Sequence, residues 1–125
     1  MIQALRWGRS AYETMSDIAR EQAAFLEEGV QLHASSATHP DLSSAVILVV
    51  NSGVRVDGAS MERAPFLRLI LTTTSGSDHI DLAAARGRGI AVGRCPLARR
   101  DAVVDTTLAM GLSLLRHLPS LNDQA

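Results

Sequence analysis

The sequence predicts an α/β fold: a flavodoxin-like doubly wound parallel sheet of about five strands, followed by a C-terminal crossover helix. Three observations carry this. Short apolar runs bounded by turn residues alternate with helix-length segments along the chain. From Leu67 to Arg116 an apolar strand, a polar Gly turn, a short capped helix, a second strand and a long apolar helix follow one another, an order that implies parallel strands with helical crossovers. The run Ala45 to Val50 has no polar face, as a strand covered on both sides requires.

Ile2 to Trp7 reads as the first strand, and Ser10 with Glu13 makes an S-x-x-E capping box that opens a helix. Met15, Ile18, Ala19, Phe25 and Leu26 recur near helical spacing, and Gly29 ends that helix as a left-handed cap. Val30 to Ala34 is a weak second strand and Ala45 to Val50 a strong third, closed by the turn Asn51-Ser52-Gly53. A short helix is expected over Ser60 to Ala64, stopping before Pro65 because the residue preceding proline avoids helical geometry. Leu67 to Thr72 is strand four, Asp81 caps a helix to Arg86, and Ile90 to Gly93 is strand five. The last helix, Asp101 to Leu118, is apolar around nearly its whole circumference, the mark of a helix buried on all sides. One domain over 1–118 and a tail over 119–125 are expected.

The chain has 125 residues, 46% of them hydrophobic, enough for one core. Its longest apolar run is far short of the roughly 20 residues a membrane helix needs. The amino terminus lacks an apolar signal core, so a cytoplasmic location is expected and no membrane partner. Net charge is -1 and the arginines form no basic stripe, which argues against nucleic acid as a partner. All 12 basic residues are arginine, so Schiff-base or P-loop lysine chemistry is excluded for these residues. The single Cys95 excludes an internal disulfide and a Cys-rich zinc site, and is expected to be a small buried residue.

The turn Ser75-Gly76-Ser77-Asp78 follows the carboxyl end of a strand, where open α/β sheets place ligands. Its amides could hold a carboxylate in a small nest, while the plainer reading is a turn in which Gly76 only supplies a positive φ. Asp81 is read as a cap and Asp78 as a brace bonding backbone amides. Gly87, Gly89 and Gly93 lie between helix and strand, the reverse of a dinucleotide loop. Trp7-Gly8-Arg9-Ser10 is a weak anion-site candidate, and Arg99-Arg100-Asp101 reads as a solvated loop with Asp101 as helix cap. His33, His39 and His117 lack partners at ligand spacing, and no metal site is expected.

These residues resemble the D-isomer-specific 2-hydroxyacid dehydrogenases, in which a strand and Gly turn lead into D-x-I-D, A-A-x-x-x-G-I-x-V, an x-P segment and a helix opening A-V-A-[DE]. The matches are Gly76, Asp78-His79-Ile80-Asp81, Ala84-Ala85, Gly89-Ile90-Ala91-Val92, Cys95-Pro96 and Ala102-Val103-Val104-Asp105, within a span from Ala45 to Leu118. Val104 stands where the family usually has Ala, and Ser77 where it has an apolar or aromatic residue. The resemblance implies the N-terminal substrate-binding domain of an oxidoreductase that moves a hydride between NAD or NADP and a 2-oxo acid or D-2-hydroxy acid. It implies that Ser75 and Gly76 bind the substrate carboxylate and that Ser75 and Thr106, with Asp105 nearby, approach the cofactor. His79 fills a variable slot and is expected to be an exposed residue at the start of a helix.

In the family, the G-x-G-x-x-G loop and the catalytic arginine, acid and histidine lie beyond the matched segment. The chain is therefore expected to carry no catalytic residue, to be a truncated member and to be silent alone. Full-length relatives are expected to be homodimers. A different reading is a flavodoxin-like module that binds a small carboxylate or a protein and covers its last helix by self-association. Flavin binding at Gly8 to Ser10 is disfavoured because only three aromatics accompany Trp7.

Overall fold

The structure is a computed structural model that describes residues 1–98 and 100–116. Arg99, His117, Leu118 and the 119–125 tail lie outside the described residues. The chain divides into two compact units, Met1–Cys95 and Pro96–Ala125.

The first unit runs β1 (Ile2–Trp7), α1 (Met15–Glu27), β2 (Val30–Ser35), β3 (Ile47–Val50), α2 (Gly58–Glu62), β4 (Leu69–Thr72), α3 (Leu82–Gly87) and β5 (Ala91–Arg94). The sheet order is β2-β1-β3-β4-β5, every pair parallel, which is the flavodoxin-like order the sequence predicts. Register sets Trp7 beside Val50, Val50 beside Thr72 and Thr72 beside Arg94. The loops after β1, β3 and β4 therefore leave one edge of the sheet side by side.

Alternation along the strands supplies two cores. Leu48, Val50, Ile70 and Trp7 face one side and pack with Met61, Ala64, Ile80 and Ala85, from α2, α3 and the loops beside them. Ala4, Val30, Leu32 and Val49 face the other side, with Phe25 of α1 against them. The apolar β3 pattern follows directly, since its neighbours on both faces are apolar.

The start of α1 differs from the expectation. Thr14 caps it, with Asp17 completing the box, and Met15 is the first helical residue. Glu13 has other partners: it accepts the Ser10 N–H at 2.7 Å and ion-pairs with Arg6 at 2.5 Å. Arg6 is 4% exposed, on the face covered by α1, and its remaining nitrogens bond Glu21 at 2.5 Å and the Gly8 carbonyl at 2.6 Å. Burial alone would lower the Arg6 pKa, but the bonds and charges of Glu21 and Glu13 outweigh it and raise it. A raised pKa means the charged pairing stabilises the fold below the unfolded value and is lost only as pH rises past the folded one, beyond any working pH.

Gly29 has φ +74, as a left-handed cap requires. Cys95 is exposed, against the expectation of burial, because it follows β5 at the edge of the sheet.

In the second unit, α4 (Arg100–Leu115) begins one residue before Asp101, so Asp101 is a first-turn acid, favoured by the helix dipole, and not the cap. None of its residues is buried; Val103, Leu108, Met110, Leu112, Leu114 and Leu115 are all exposed. No helix among the described residues is long and apolar enough to cross a membrane.

Replacing Arg6 with Met strips two glutamates and a carbonyl of their shared cation. The variant is expected to lose about 3 kcal/mol of stability in urea unfolding; an unchanged midpoint would contradict the role given to this cluster.

Candidate functional site

In the segment from Thr72 to His79, three successive carbonyls are taken by hydrogen bonds. The Thr74 carbonyl accepts the Cys95 N–H at 3.1 Å, the Ser75 carbonyl accepts Arg94 Nη1 at 3.3 Å, and the Gly76 carbonyl accepts the Thr74 hydroxyl at 3.1 Å. Every peptide here is trans, so the N–H groups of Ser75, Gly76 and Ser77 point the opposite way. None of the three has an acceptor among the described residues. Three consecutive donors are thus left without an intramolecular partner among the described residues, and donors of this kind are able to hold a carboxylate.

Gly76 does not have a positive φ, so the conformational reason offered for it does not apply. A Cβ there would stand 3.0 Å from Oδ1 of Asp78, the end of an exposed side chain that can give way, so the packing does not require glycine either. Asp78 is exposed and makes no amide bond among the described residues, contrary to its expected bracing role.

The bracing comes from elsewhere. Thr72, 1% exposed, shares its hydroxyl with Thr74 Oγ1 at 2.7 Å and His79 Nε2 at 3.0 Å. His79 is therefore half-buried behind the turn and not exposed, because the turn folds it back onto the strand it left. Asp81 behaves as expected, capping α3 by accepting the Ala84 N–H at 2.9 Å.

A cleft of about 750 Å³ lies not at this turn but one strand over, between the loops after β1 and β3. Gly8, Arg9, Asn51, Gly53 and Arg55 line it. Sequence reasoning gave Gly8 and Arg9 little weight because the residues that join them come from other loops. Arg94 was missed for the same reason: only the β4–β5 register puts it beside Ser75.

Thr106 belongs to the second unit, and its hydroxyl donates to the Ala102 carbonyl at 2.8 Å within α4. Asp105 is exposed in the same helix. A dinucleotide needs a glycine-rich turn from strand to helix. Of the positive-φ glycines Gly8, Gly29 and Gly89, only Gly8 lies between a strand and a helix, and it stands alone. The residues present do not fit a complete NAD or NADP site. No cluster of metal-ligating side chains occurs among the described residues.

A parallel sheet in this order, with loops gathered at the carboxyl ends of its strands, defines an α/β domain of the flavodoxin-like class. The chain belongs to the D-isomer specific 2-hydroxyacid dehydrogenases, whose catalytic-domain pattern matches residues 11–120. It is 37% identical over 93 residues to glyoxylate/hydroxypyruvate reductase B of Yersinia enterocolitica, and 33% identical over 95 residues to erythronate-4-phosphate dehydrogenase of a Shewanella species. These alignments take in 72% and 76% of this chain but only 28% and 25% of those proteins. The D-lactate dehydrogenase of Aquifex aeolicus, solved with NAD and lactic acid, superposes with a TM-score of 0.79 at 25% identity, over 96% of this chain and 36% of that one.

Thr72→Val keeps the shape of the side chain and deletes the hydroxyl that His79 and Thr74 share. Loss of about 1–3 kcal/mol is expected on unfolding, with shifted amide resonances at Ser75 to Ser77. A variant of native stability with unmoved amides would show that the network does not support the turn.

Proposed function

We propose that this chain is the acid-binding part of an NAD- or NADP-dependent D-2-hydroxyacid dehydrogenase, with residues 1–118 forming that part and 119–125 leading towards a cofactor domain. The observation that carries it is the run of three successive N–H groups, at Ser75, Gly76 and Ser77, that have no acceptor among the described residues. The substrate carboxylate lies on them, and the guanidinium of Arg94 holds the Ser75 carbonyl on the opposite side of the same peptide. Ser75 of the first unit and Thr106 of the second are each assigned to the surroundings of a nicotinamide cofactor, which would supply or accept the hydride if bound.

Reducing an oxo carbon also needs a guanidinium to orient the substrate and an acid to deliver a proton. His79 is not that acid, since its Nε2 is engaged with Thr72 behind the turn. The family places both groups outside the segment matched here, so this chain binds and orients the acid and moves no proton. A cytoplasmic location, where nicotinamide cofactors are available, fits this reading.

A second reading rests on the exposed apolar residues of α4: a carboxylate-binding module that self-associates through that helix. The same surface would serve a homodimer of the full-length enzyme.

The 15N-labelled chain titrated with glyoxylate is expected to show saturable shifts at Ser75, Gly76 and Ser77, and no oxidation of NADH or NADPH on mixing with cofactor and acid. Unmoved turn amides would reject the carboxylate site, and turnover would reject the division of labour. In sedimentation, Leu108→Gln with Leu112→Gln is expected to shift associated species towards monomer; a parent chain that is already a monomer would reject the second reading.

A further inference from the structure

Where the strand order of a parallel sheet reverses, successive crossovers leave on opposite faces and a crevice opens between their loops. The reversal here falls between β1 and β3, and the cleft of about 750 Å³ lies between the loops that follow those strands.

Its wall contains a buried amide with donors to spare. Asn51 is only 9% exposed, and its Oδ1 accepts the Gly53 N–H at 2.9 Å. Its Nδ2 has no acceptor among the described residues. Yet no fully buried side-chain nitrogen or oxygen among the described residues lacks a partner, so Nδ2 must be the atom that reaches the open space. The amide head sits between two glycines that also line the cleft, its oxygen 3.7 Å from where a Gly8 Cβ would be and 3.2 Å from a Gly53 one. Gly8 itself is fixed in kind by φ +84 and by Val54 Cγ2, which a Cβ would approach to 2.5 Å.

The cleft is also positive. Arg9, Arg55 and Arg63 line it, and none forms an ion pair among the described residues. The acid in the lining is Asp57, whose Oδ1 accepts both the backbone N–H and the hydroxyl of Ser60 at 2.9 Å as the cap of α2. Those bonds, the backbone one foremost, hold its carboxyl below the usual range. Three guanidinium groups face one occupied carboxylate, and an excess of two positive charges matches a phosphate dianion.

We propose that this cleft binds a phosphate group, the far end of a substrate whose carboxylate lies on Ser75 to Ser77; the identity of the near end rests on the function proposed above. Geometry allows one molecule to reach both. Val50 pairs with Thr72, and the Thr73 N–H donates to the Val50 carbonyl at 2.9 Å, so the loops carrying Asn51 and Ser75 leave the sheet about 4.8 Å apart.

The 15N-labelled 125-residue chain is titrated with inorganic phosphate at fixed ionic strength. Saturable shifts are expected at the Gly8 and Gly53 amides and at the Asn51 side-chain NH2, with Arg55→Gln and Arg63→Gln each weakening the apparent affinity about tenfold. A linear response, one reproduced by chloride, or full affinity in a natively folded double variant overturns the proposal. A second arm compares hydroxypyruvate with its phosphate ester, and the ester is expected to bind at least about tenfold tighter while moving both sets of amides. If phosphate saturates the cleft but neither acid moves Ser75 to Ser77, the substrate-tail assignment falls, together with the carboxylate site. If both acids move the turn and phosphate never saturates, this proposal alone falls.

Discussion

A trans peptide cannot aim its carbonyl and its N–H in the same direction, and the proposed acid site depends on that constraint. Cys95, Arg94 and Thr74 each take one carbonyl of the turn after β4, and the three N–H groups on the other sides of those peptides have no acceptor among the described residues. No side chain of the turn has to point at a ligand for this to work. The specificity of the arrangement lies in what holds the carbonyls, and that hold passes through a buried threonine hydroxyl to a histidine seven residues along the chain.

The parallel register extends the same logic across the sheet. Trp7, Val50, Thr72 and Arg94 form one row near the carboxyl ends of their strands. The loops that follow are thereby neighbours, whatever their separation in sequence. Arg6 supports the first of these loops from beneath by bonding the Gly8 carbonyl and Glu13. Replacing this cation and both of its glutamates together by apolar residues would change stability little, whereas removing the cation alone strands two acids; the cluster serves to fix one loop geometry.

Strand number, parallel order and the capped helix α3 were legible in the sequence because each is a local pattern. Element ends were less so. Leu67 is buried and reads as strand, yet its N–H bonds Ala64 in a turn and the ladder starts at Leu69, because burial extends further than pairing. Two capping boxes stand four residues apart at Ser10 and Thr14, and only the ion pair between Glu13 and Arg6, in different elements, decides between them. The motif around Ser75 and Gly76 was visible as a family signature. The parts played by His79 and Arg94, and the cleft at Asn51, were not, since spacing along a chain does not reveal which loops a sheet will set side by side.

The central claim is that a 2-oxo acid lies with its carboxylate on the main-chain N–H groups of Ser75, Gly76 and Ser77. A crystal structure of this chain with oxamate tests it most directly. Carboxylate oxygens are expected at about 3 Å from those nitrogens. It is contradicted if oxamate binds elsewhere, or if the three N–H groups are instead turned inward onto the protein's own carbonyl or carboxylate oxygens.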